Sequence, residues 1–396
     1  MIRYFCYVYR LKNQKILIFG GVDPYCQLCP HHEAYSKSID QPLQQQVRRK
    51  QCRVGDDVSD YSATHAVNYG DHVLRCDSNL EWKHLSHIPF GSRHHHAVVV
   101  CNGLIFVIGG TRTAHGCTRK SIYEKTVWSF DARSLKWTLE SSLPESRRDF
   151  AVVAIDNTFN RKEIRTGFYI IGGEGVNGKA LDSVWFYDVL QKIWTKKASL
   201  NFGRYGLTAV VVNNEIWVGG GIIHASMECC GVDKDCIGKT TEIITDTVEC
   251  YSLKDTHCAK RLNCDSSQAG TIIWIVSDIR LRVPRLFGRF CKNANNEVYL
   301  IGGIGISTNN TFTSLSSVDC FDSQNGKWVH CGDINFARHG HDVVLFKNQI
   351  IVIGGVSTIA NRTLATVERF CTKSLRSLTE CAKLPWPLSG SAAVVV

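Results

Sequence analysis

The stretch NQIIVIGG, residues Asn348 to Gly355, is a short run of β-branched residues that ends in two glycines. Isoleucine and valine favour strands, whereas a glycine weakens a strand and permits positive φ and close backbone approach. The chain repeats this pattern of strand and glycine pair six times, which points to a repeat architecture. The pairs are Gly20 and Gly21, Gly109 and Gly110, Gly172 and Gly173, Gly220 and Gly221, Gly302 and Gly303, and Gly354 and Gly355.

The residues between the glycine pairs also repeat. Most pairs are followed by an apolar strand with an aromatic residue, as in VWSFD from Val127 and VWFYD from Val184, and then by a tryptophan such as Trp137, Trp194 or Trp328. A turn, an arginine and another apolar strand complete the unit. One such four-stranded sheet is hydrophobic on both faces, and stacking the sheets radially buries both. The sequence therefore predicts an all-β, six-bladed β-propeller with four-stranded antiparallel blades.

The chain ends indicate how the ring closes. The C-terminal run Ala392–Val396 copies the first-strand sequence HAVVV (His96–Val100), whereas the N-terminal part enters at a second strand, QKILIFGG. We therefore expect the C-terminal strand to close the ring, although Tyr4–Tyr9 competes for the same position. The predicted organisation is a lead-in at 1–11 and a single propeller domain at 12–396, with insertions at about 23–69 and 222–270.

The units resemble kelch repeats, whose signature is a double glycine followed by a spaced aromatic residue and a tryptophan. The resemblance covers roughly Lys12 to Val396 apart from the insertions, and it implies a protein-binding propeller. Similar proteins often serve as substrate receptors of cullin-type ubiquitin ligases, with BTB and BACK domains ahead of the propeller. This chain starts almost at the first blade, so we expect neither domain in it. Several kelch proteins bind actin filaments, which is the alternative function.

An arginine opens the first strand in five of the units, and Ser389 stands near the sixth place. Radial symmetry turns one repeated position into a ring on one face, where guanidinium groups suit an acidic peptide. The resemblance implies that such arginines contribute to a peptide-binding face. In the alternative interpretation they cap carbonyl groups and bridge adjacent blades. The predicted partner-binding residues are Arg93, Arg147, Arg204, Arg285, Arg338, Arg112, His94, Tyr205 and His339.

Two cysteine clusters contain residue types that can bind a metal ion. CQLCPHH (Cys26–His32) has the spacing of half a zinc site, with His31 or Cys52 as further ligands. The sequence contains no second Cys-x-x-Cys to complete it. The other cluster comprises Cys229, Cys230 and Cys236, and ordinary free thiols are the favoured interpretation of both.

Enzymatic chemistry finds little support in the sequence. In RHHHA, His94 and His96 share one strand face and His95 takes the other, so packing is favoured over metal binding. GGEGVNG (Gly172–Gly178) follows a strand but opens no helix, so it is no dinucleotide fingerprint. A copper oxidase of the propeller type is disfavoured because no secretion signal is present. We predict a non-enzymatic protein without cofactor or metal.

Composition agrees with an ordinary globular protein, with 44% hydrophobic and 21% charged residues. No apolar run is long enough to cross a bilayer. The N-terminal residues lack a secretory pattern, so the 18 cysteines are expected as reduced thiols in the cytoplasm. The net charge of +10 is spread along the chain, which favours acidic protein partners and supports neither nucleic-acid nor membrane binding.

Overall fold

The computed structural model describes residues 15–21, 72–76, 81–113, 121–156, 166–226, 240–253, 273–378 and 383–396. Every regular element within these ranges is a β-strand, so the all-β prediction is confirmed. Within the same ranges there is no helix with the length and apolarity to span a membrane. The predicted lead-in at 1–11 and the predicted insertion at 23–69 lie outside the described residues.

The strands form six four-stranded sheets, which we number as blades in chain order. Blade 1 begins with β1 (Ile16–Phe19), β2 (His72–Cys76) and β3 (Trp82–His87). Blade 2 contains β4 (Ala97–Cys101), β5 (Leu104–Ile108), a hairpin of β6 (Thr111–Thr113) and β7 (Ser121–Tyr123), then β8 (Thr126–Asp131) and β9 (Lys136–Ser142). Blade 3 contains β10 (Ala151–Asp156), β11 (Thr166–Ile171), β12 (Val184–Asp188) and β13 (Ile193–Lys197).

The remaining blades carry further short strands between their second and third long strands, and blade 4 has one more, β14, before its first long strand. Blade 4 contains β14 (Arg204–Tyr205), β15 (Thr208–Val212), β16 (Glu215–Gly219), β17 (Ile222–Ser226), β18 (Thr240–Ile244), β19 (Thr247–Ser252) and β20 (Trp274–Arg280). Blade 5 contains β21 (Arg289–Lys292), β22 (Val298–Ile301), β23 (Ile304–Ile306), β24 (Phe312–Ser314), β25 (Ser317–Asp322) and β26 (Lys327–Asp333). Blade 6 contains β27 (Asp342–Phe346), β28 (Gln349–Ile353), β29 (Val356–Ser357), β30 (Arg362–Thr363), β31 (Val367–Cys371) and β32 (Arg376–Leu378), and it is followed by β33 (Ala392–Val395).

Blade 1 is assembled from two distant parts of the chain. Its strand order is β3-β2-β1-β33, and Ile18 lies opposite Ala393 in the antiparallel pair of β1 and β33. The first strand of every blade contacts the first strands of two other blades, in the closed cycle β33, β4, β10, β15, β21, β27 and back to β33. This cycle is the radial arrangement of a propeller, and its apolar cores lie between neighbouring blades. For example, Leu74 of blade 1 and Ile351 of blade 6 belong to the same core cluster.

The glycine pairs lie where neighbouring blades touch through their backbones. The second glycine donates its N–H to the carbonyl that precedes the next blade's first strand, as in Gly221 to Arg285 at 2.8 Å. A Cβ atom on Gly220 would lie only 2.4 Å from the same carbonyl oxygen, and Gly220 has φ of +66°. A larger residue would force the two blades apart at the position where they must approach most closely.

Strand direction decides which connections share a face of the disc. Because successive strands run antiparallel, the connection from the second to the third strand lies at the same end as the connection to the next blade. The hairpins β6–β7, β17–β18, β23–β24 and β29–β30 are connections of the first kind, and the recurring arginines end connections of the second kind. One face therefore carries the glycine pairs, the arginines and the hairpins. We call it the hairpin face.

Candidate functional site

The five recurring arginines form a buried layer beneath the hairpin face. Their exposed fractions are 0 or 1%. Each guanidinium donates a hydrogen bond to the carbonyl of the first glycine in its own blade's glycine pair. The buried arginine layer comprises Arg93 with Gly109 (3.2 Å), Arg147 with Gly172 (2.8 Å), Arg204 with Gly220 (3.2 Å), Arg285 with Gly302 (3.0 Å) and Arg338 with Gly354 (2.7 Å).

Buried carboxylates neutralise three of these guanidinium groups. Arg204 Nη2 lies 2.6 Å from Glu249 Oε1, and both side chains are fully buried. Arg285 pairs with Asp319 at 2.5 Å, and Arg338 pairs with Glu368. Burial lowers the pKa of Arg204 despite its carboxylate partner, because desolvation disfavours the charged form.

The docking role predicted for these five arginines disagrees with their position. A guanidinium that is 0 or 1% exposed and already bonded to its own blade has no free surface to offer a peptide. The alternative interpretation fits better. Each guanidinium donates to a carbonyl inside its own blade, and the backbone carbonyl of each arginine accepts a hydrogen bond from the second glycine of the preceding blade. The sixth place is also corrected: Gly355 donates to the carbonyl of Leu388, so Leu388 and not Ser389 is the equivalent of the arginines.

A ring of backbone hydrogen bonds follows directly after the arginines. Two positions beyond each arginine or Leu388 stands a residue with positive φ, between 53° and 66°. Asp149 N–H donates to the His95 carbonyl at 3.2 Å, and Gly206 N–H donates to the Asp149 carbonyl at 2.8 Å. Bonds of this kind link neighbouring blades at five of the six junctions around the axis, from Gly340 through Gly390, His95, Asp149 and Gly206 to Phe287, and restrain the centre of the hairpin face. The ring residues are His95, Asp149, Gly206, Phe287, Gly340 and Gly390.

Charged side chains near this ring are paired with one another. Arg148 donates to both carboxylate oxygens of Glu174 at 2.8 to 3.0 Å, and Tyr123 donates its hydroxyl to Glu174 at 2.8 Å. His95 Nδ1 lies 2.7 Å from Asp149 Oδ1. Burial alone would raise the pKa of Asp149, but His95 and Arg148 lower it overall. These side chains neutralise one another's charges, so the cluster does not offer a partner a single unpaired charge.

The four other predicted binding residues are placed differently from one another. Arg112 is 39% exposed on β6 and pairs with Glu124 at 2.5 Å. Tyr205 is half-buried and donates to Glu242 at 3.1 Å. His94 is half-buried, and burial holds its pKa well below the usual value. His339 is fully buried with Nδ1 at 2.9 Å from Ser314 Oγ, so it is no surface contact.

Exposed apolar side chains on the hairpin face are the feature that the sequence analysis missed. All lie between a glycine pair and the third long strand of a blade. A signal was present in IGISTNNTFTS (Ile304–Ser314), where two short β-branched or aromatic runs flank the turn residues Asn309 and Asn310. The apolar rim comprises Val176 (63% exposed), Ile243 (45%), Ile306 (53%), Phe312 (39%) and Ile359 (71%).

Two neighbouring hairpins bring part of the apolar rim together. Ile306 and Phe312 lie opposite each other in the pair of β23 and β24. Ser314 N–H donates to Thr358 Oγ1 at 2.8 Å, and Thr358 N–H donates to Ser314 Oγ at 3.0 Å. Because Ile359 follows Thr358, these two bonds tie the most exposed rim residue to the neighbouring hairpin.

Cys26–His32 and the cluster of Cys229, Cys230 and Cys236 lie outside the described residues. In RHHHA, His96 is buried directly before β4, the first strand of blade 2, and burial lowers its pKa to about 3. That position agrees with the packing role.

The cyclic arrangement of sheets and the two layers on one face define this protein as a β-propeller. Residues 92–144 match the family model of the Kelch motif. These residues span blade 2, so this blade carries a Kelch motif, in line with the predicted resemblance to kelch repeats.

Relatives extend this similarity over most of the chain. Beta-scruin of Limulus polyphemus is 25% identical over 311 residues, which cover 77% of this chain and 29% of the relative. Kelch-like protein 15 of Homo sapiens is 21% identical over 273 residues, which cover 65% of this chain and 38% of the relative. The chain thus spans about a third of the length of these relatives. Among solved structures, that of YjhT has a TM-score of 0.57 at 14% identity and covers 78% of this chain and 90% of its own, which supports the fold.

Proposed function

We propose that this kelch-repeat propeller is a non-enzymatic protein-binding module that docks a partner on the apolar rim. The observation that carries the proposal is the exposure of five large apolar side chains, from 39 to 71%, on the connections of a single face. Contiguous exposed apolar side chains on a soluble protein mark interaction sites. Scattered exposed apolar residues are ordinary, so the argument rests on their concentration on hairpins that share one face.

The layers beneath the rim supply preorganisation. The buried arginine layer and the backbone ring fix the bases of the hairpins. Docking of a partner therefore requires little further ordering of these hairpins. Burying an exposed isoleucine or phenylalanine contributes about 1.5 to 3 kcal/mol. A few such contacts on a rigid base suffice for a specific protein interface with a small energetic centre.

The partner's chemistry follows from what the face offers. The rim favours a segment with apolar anchors. An acidic segment is the expectation from the arginines, but Arg112 and the half-buried Arg148 are already paired with Glu124 and Glu174. An acidic side chain would have to displace those carboxylates there, whereas the exposed Arg362 on β30 could meet one beside the rim. We therefore assign acidic residues of the partner a secondary role around the apolar anchors.

The test compares two matched substitutions on opposite faces. Ile359→Asp places a charge on the rim, and Leu190→Asp does the same on the turn between β12 and β13, where Leu190 is 58% exposed on the other face. Wild type and both variants are used for cross-linked affinity purification with quantitative mass spectrometry. We expect a set of proteins that is lost with Ile359→Asp and kept with Leu190→Asp. Equal recovery by all three proteins would overturn the proposal.

The identity of the captured proteins discriminates the wider roles implied by the resemblance. Cullin-ligase subunits together with a rim-dependent substrate would support a substrate-receptor role. Co-sedimentation with actin filaments that Ile359→Asp abolishes would support the cytoskeletal role. Binding that disappears with moderate salt and is insensitive to Ile359→Asp would instead favour recognition of an acidic segment by charge.

A further inference from the structure

Three histidines converge on the two outer strands of blade 1, β2 and β3. They are His72 on β2 and His84 and His87 on β3, and their imidazole nitrogens all lie within 4.8 Å of one another. The ring centroids are 4.4 to 5.0 Å apart. His84 and His87 are exposed and His72 is half-buried, with the Trp386 ring 4.8 Å from it. The cluster is thus open to solvent on one side and backed by an aromatic ring on the other.

A β-bulge creates this arrangement. Residues three apart on a regular strand point to opposite faces, so His84 and His87 would normally diverge. In the pair of β2 and β3 the register shifts, because His87 lies opposite His72 and His84 lies opposite Leu74. Leu85 is the extra residue. The bulge therefore turns His84 and His87 to the same face, and His72 joins them from the neighbouring strand.

Blade 5 provides an internal comparison, because it has the same bulge. There Ser317 lies opposite Asp333 and Asp319 lies opposite His330. The positions of His72, His84 and His87 are thus taken by Ser317, His330 and Asp333. His330 Nε2 lies 3.2 Å from Asp333 Oδ2, which demonstrates that the two bulged-strand positions come within bonding distance.

We propose that His72, His84 and His87 form a binding site for a divalent metal ion of the zinc class. Imidazole nitrogen is a preferred ligand of Zn²⁺, with Zn–N distances of about 2.0 to 2.1 Å. Three such nitrogens around a tetrahedral ion are separated by about 3.3 Å, and small side-chain rotations close the present separations to that value. Three protein ligands leave the fourth position to water or to a donor from another molecule.

The position of the three histidines in blade 1 means that a bound metal ion would also strengthen this blade. Blade 1 is the blade built from both ends of the chain, and it has Leu388 where the other five blades have a buried arginine. In those blades the arginine bonds to a threonine, serine or nearby carbonyl at the start of the third strand, a position that His72 holds in blade 1. A bound ion would cross-link β2 to β3 in the blade that lacks this arginine.

Zinc binding by tag-free protein tests the proposal. Equilibrium dialysis against Zn²⁺ is carried out on wild type, on the double variant His84→Gln/His87→Gln, and on the matched control His330→Gln. We expect the double variant to lose one equivalent, or to bind it about 100-fold more weakly, while the control equals wild type. Both substituted histidines of the double variant are exposed, so melting without zinc should be unchanged and confirms folding.

Cysteines elsewhere in the chain also attract zinc, and cobalt separates them from this site. The equivalent of Co²⁺ lost in the double variant should show visible d–d bands without the near-ultraviolet absorption of cobalt–thiolate bonds. Zinc should also raise the melting temperature of wild type and control but not that of the double variant. The same stoichiometry and affinity in all three proteins, or a thiolate band in the lost equivalent, would overturn the proposal.

Discussion

The buried arginine layer and the apolar rim belong to the same face yet differ in both polarity and exposure. The arginines carry charge and are 0 or 1% exposed, whereas the rim residues are apolar and 39 to 71% exposed. The guanidinium groups bind carbonyl groups and carboxylates inside the blades. The comparison teaches that recurrence around a propeller identifies what holds the blades, while the less regular hairpins above differ from blade to blade. We infer that they carry the recognition surface.

The largest expected effect is the loss of a buried arginine. Arg338→Ala leaves Glu368 fully buried without its partner, which should lower the free energy of unfolding by about 3 to 5 kcal/mol. The control Arg112→Ala removes a guanidinium that is 39% exposed, and Arg93 remains 3.6 Å from its partner Glu124, so the loss should be under about 1 kcal/mol. Equilibrium urea unfolding measures both. Similar small losses for the two variants would contradict the structural role of the layer.

A glycine pair offers a sharper steric comparison. Gly220 and Gly178 both have positive φ, so an alanine at either position costs about 1 to 2 kcal/mol. Only at Gly220 does the added Cβ meet a backbone oxygen, that of Arg285, since nothing lies within 4 Å at Gly178. We expect Gly220→Ala to be at least about 2 kcal/mol worse than Gly178→Ala. Thermal unfolding of the two variants measures this difference. Equal melting temperatures would exclude close packing between the blades at Gly220.

Low pH should destabilise the fold through buried histidines such as His339. Burial lowers the pKa of His339 to about 4 from the ordinary value of 6.5. Between these values the unfolded chain binds a proton that the folded protein does not, so stability falls as the pH drops from about 6.5 toward 4. The loss is about 1.4 kcal/mol per pH unit for this residue.

The variant His339→Asn isolates that contribution. Asparagine has a hydrogen-bonding group for Ser314 but does not titrate. Urea unfolding at pH 6.5 and 5.0 should show a smaller loss of stability in the variant than in wild type. The same loss in both proteins would mean that His339 is protonated in the folded state.

The smallest expected effect is that of a rim residue on stability. Ile359 is 71% exposed, so Ile359→Asp should change the free energy of unfolding by no more than about 0.5 kcal/mol. Chemical denaturation beside wild type measures it. A loss of several kcal/mol would show that Ile359 packs within the fold and is not free to bind.

The fold was predictable because its signals are local. Alternating strands, turns and glycine pairs each act within a few residues, and their repetition specifies the sheets. The position of the arginines was not, since a repeat places a residue on a ring without deciding whether it faces solvent. A clue existed in Glu249, Asp319 and Glu368, which recur inside apolar third strands and, as buried charges, require a partner.

The hairpins and the histidine cluster were missed for different reasons. The hairpin strands have two to five residues each, too few for a clear periodic pattern. The cluster depends on a bulge at Leu85, and without that bulge the spacing of His84 and His87 argues against a shared face. Irregular pairing depends on tertiary packing, which a single sequence does not encode locally.

The most direct test of the division between the two layers is the dissociation constant of one rim-dependent partner for two folded variants. Arg147→Met removes a buried guanidinium whose partner Glu145 is 43% exposed, so no buried charge is left behind. We predict a dissociation constant within about twofold of wild type for Arg147→Met, and one raised about tenfold or more for Ile359→Asp. Equal weakening by both variants, with both folded, would contradict the account.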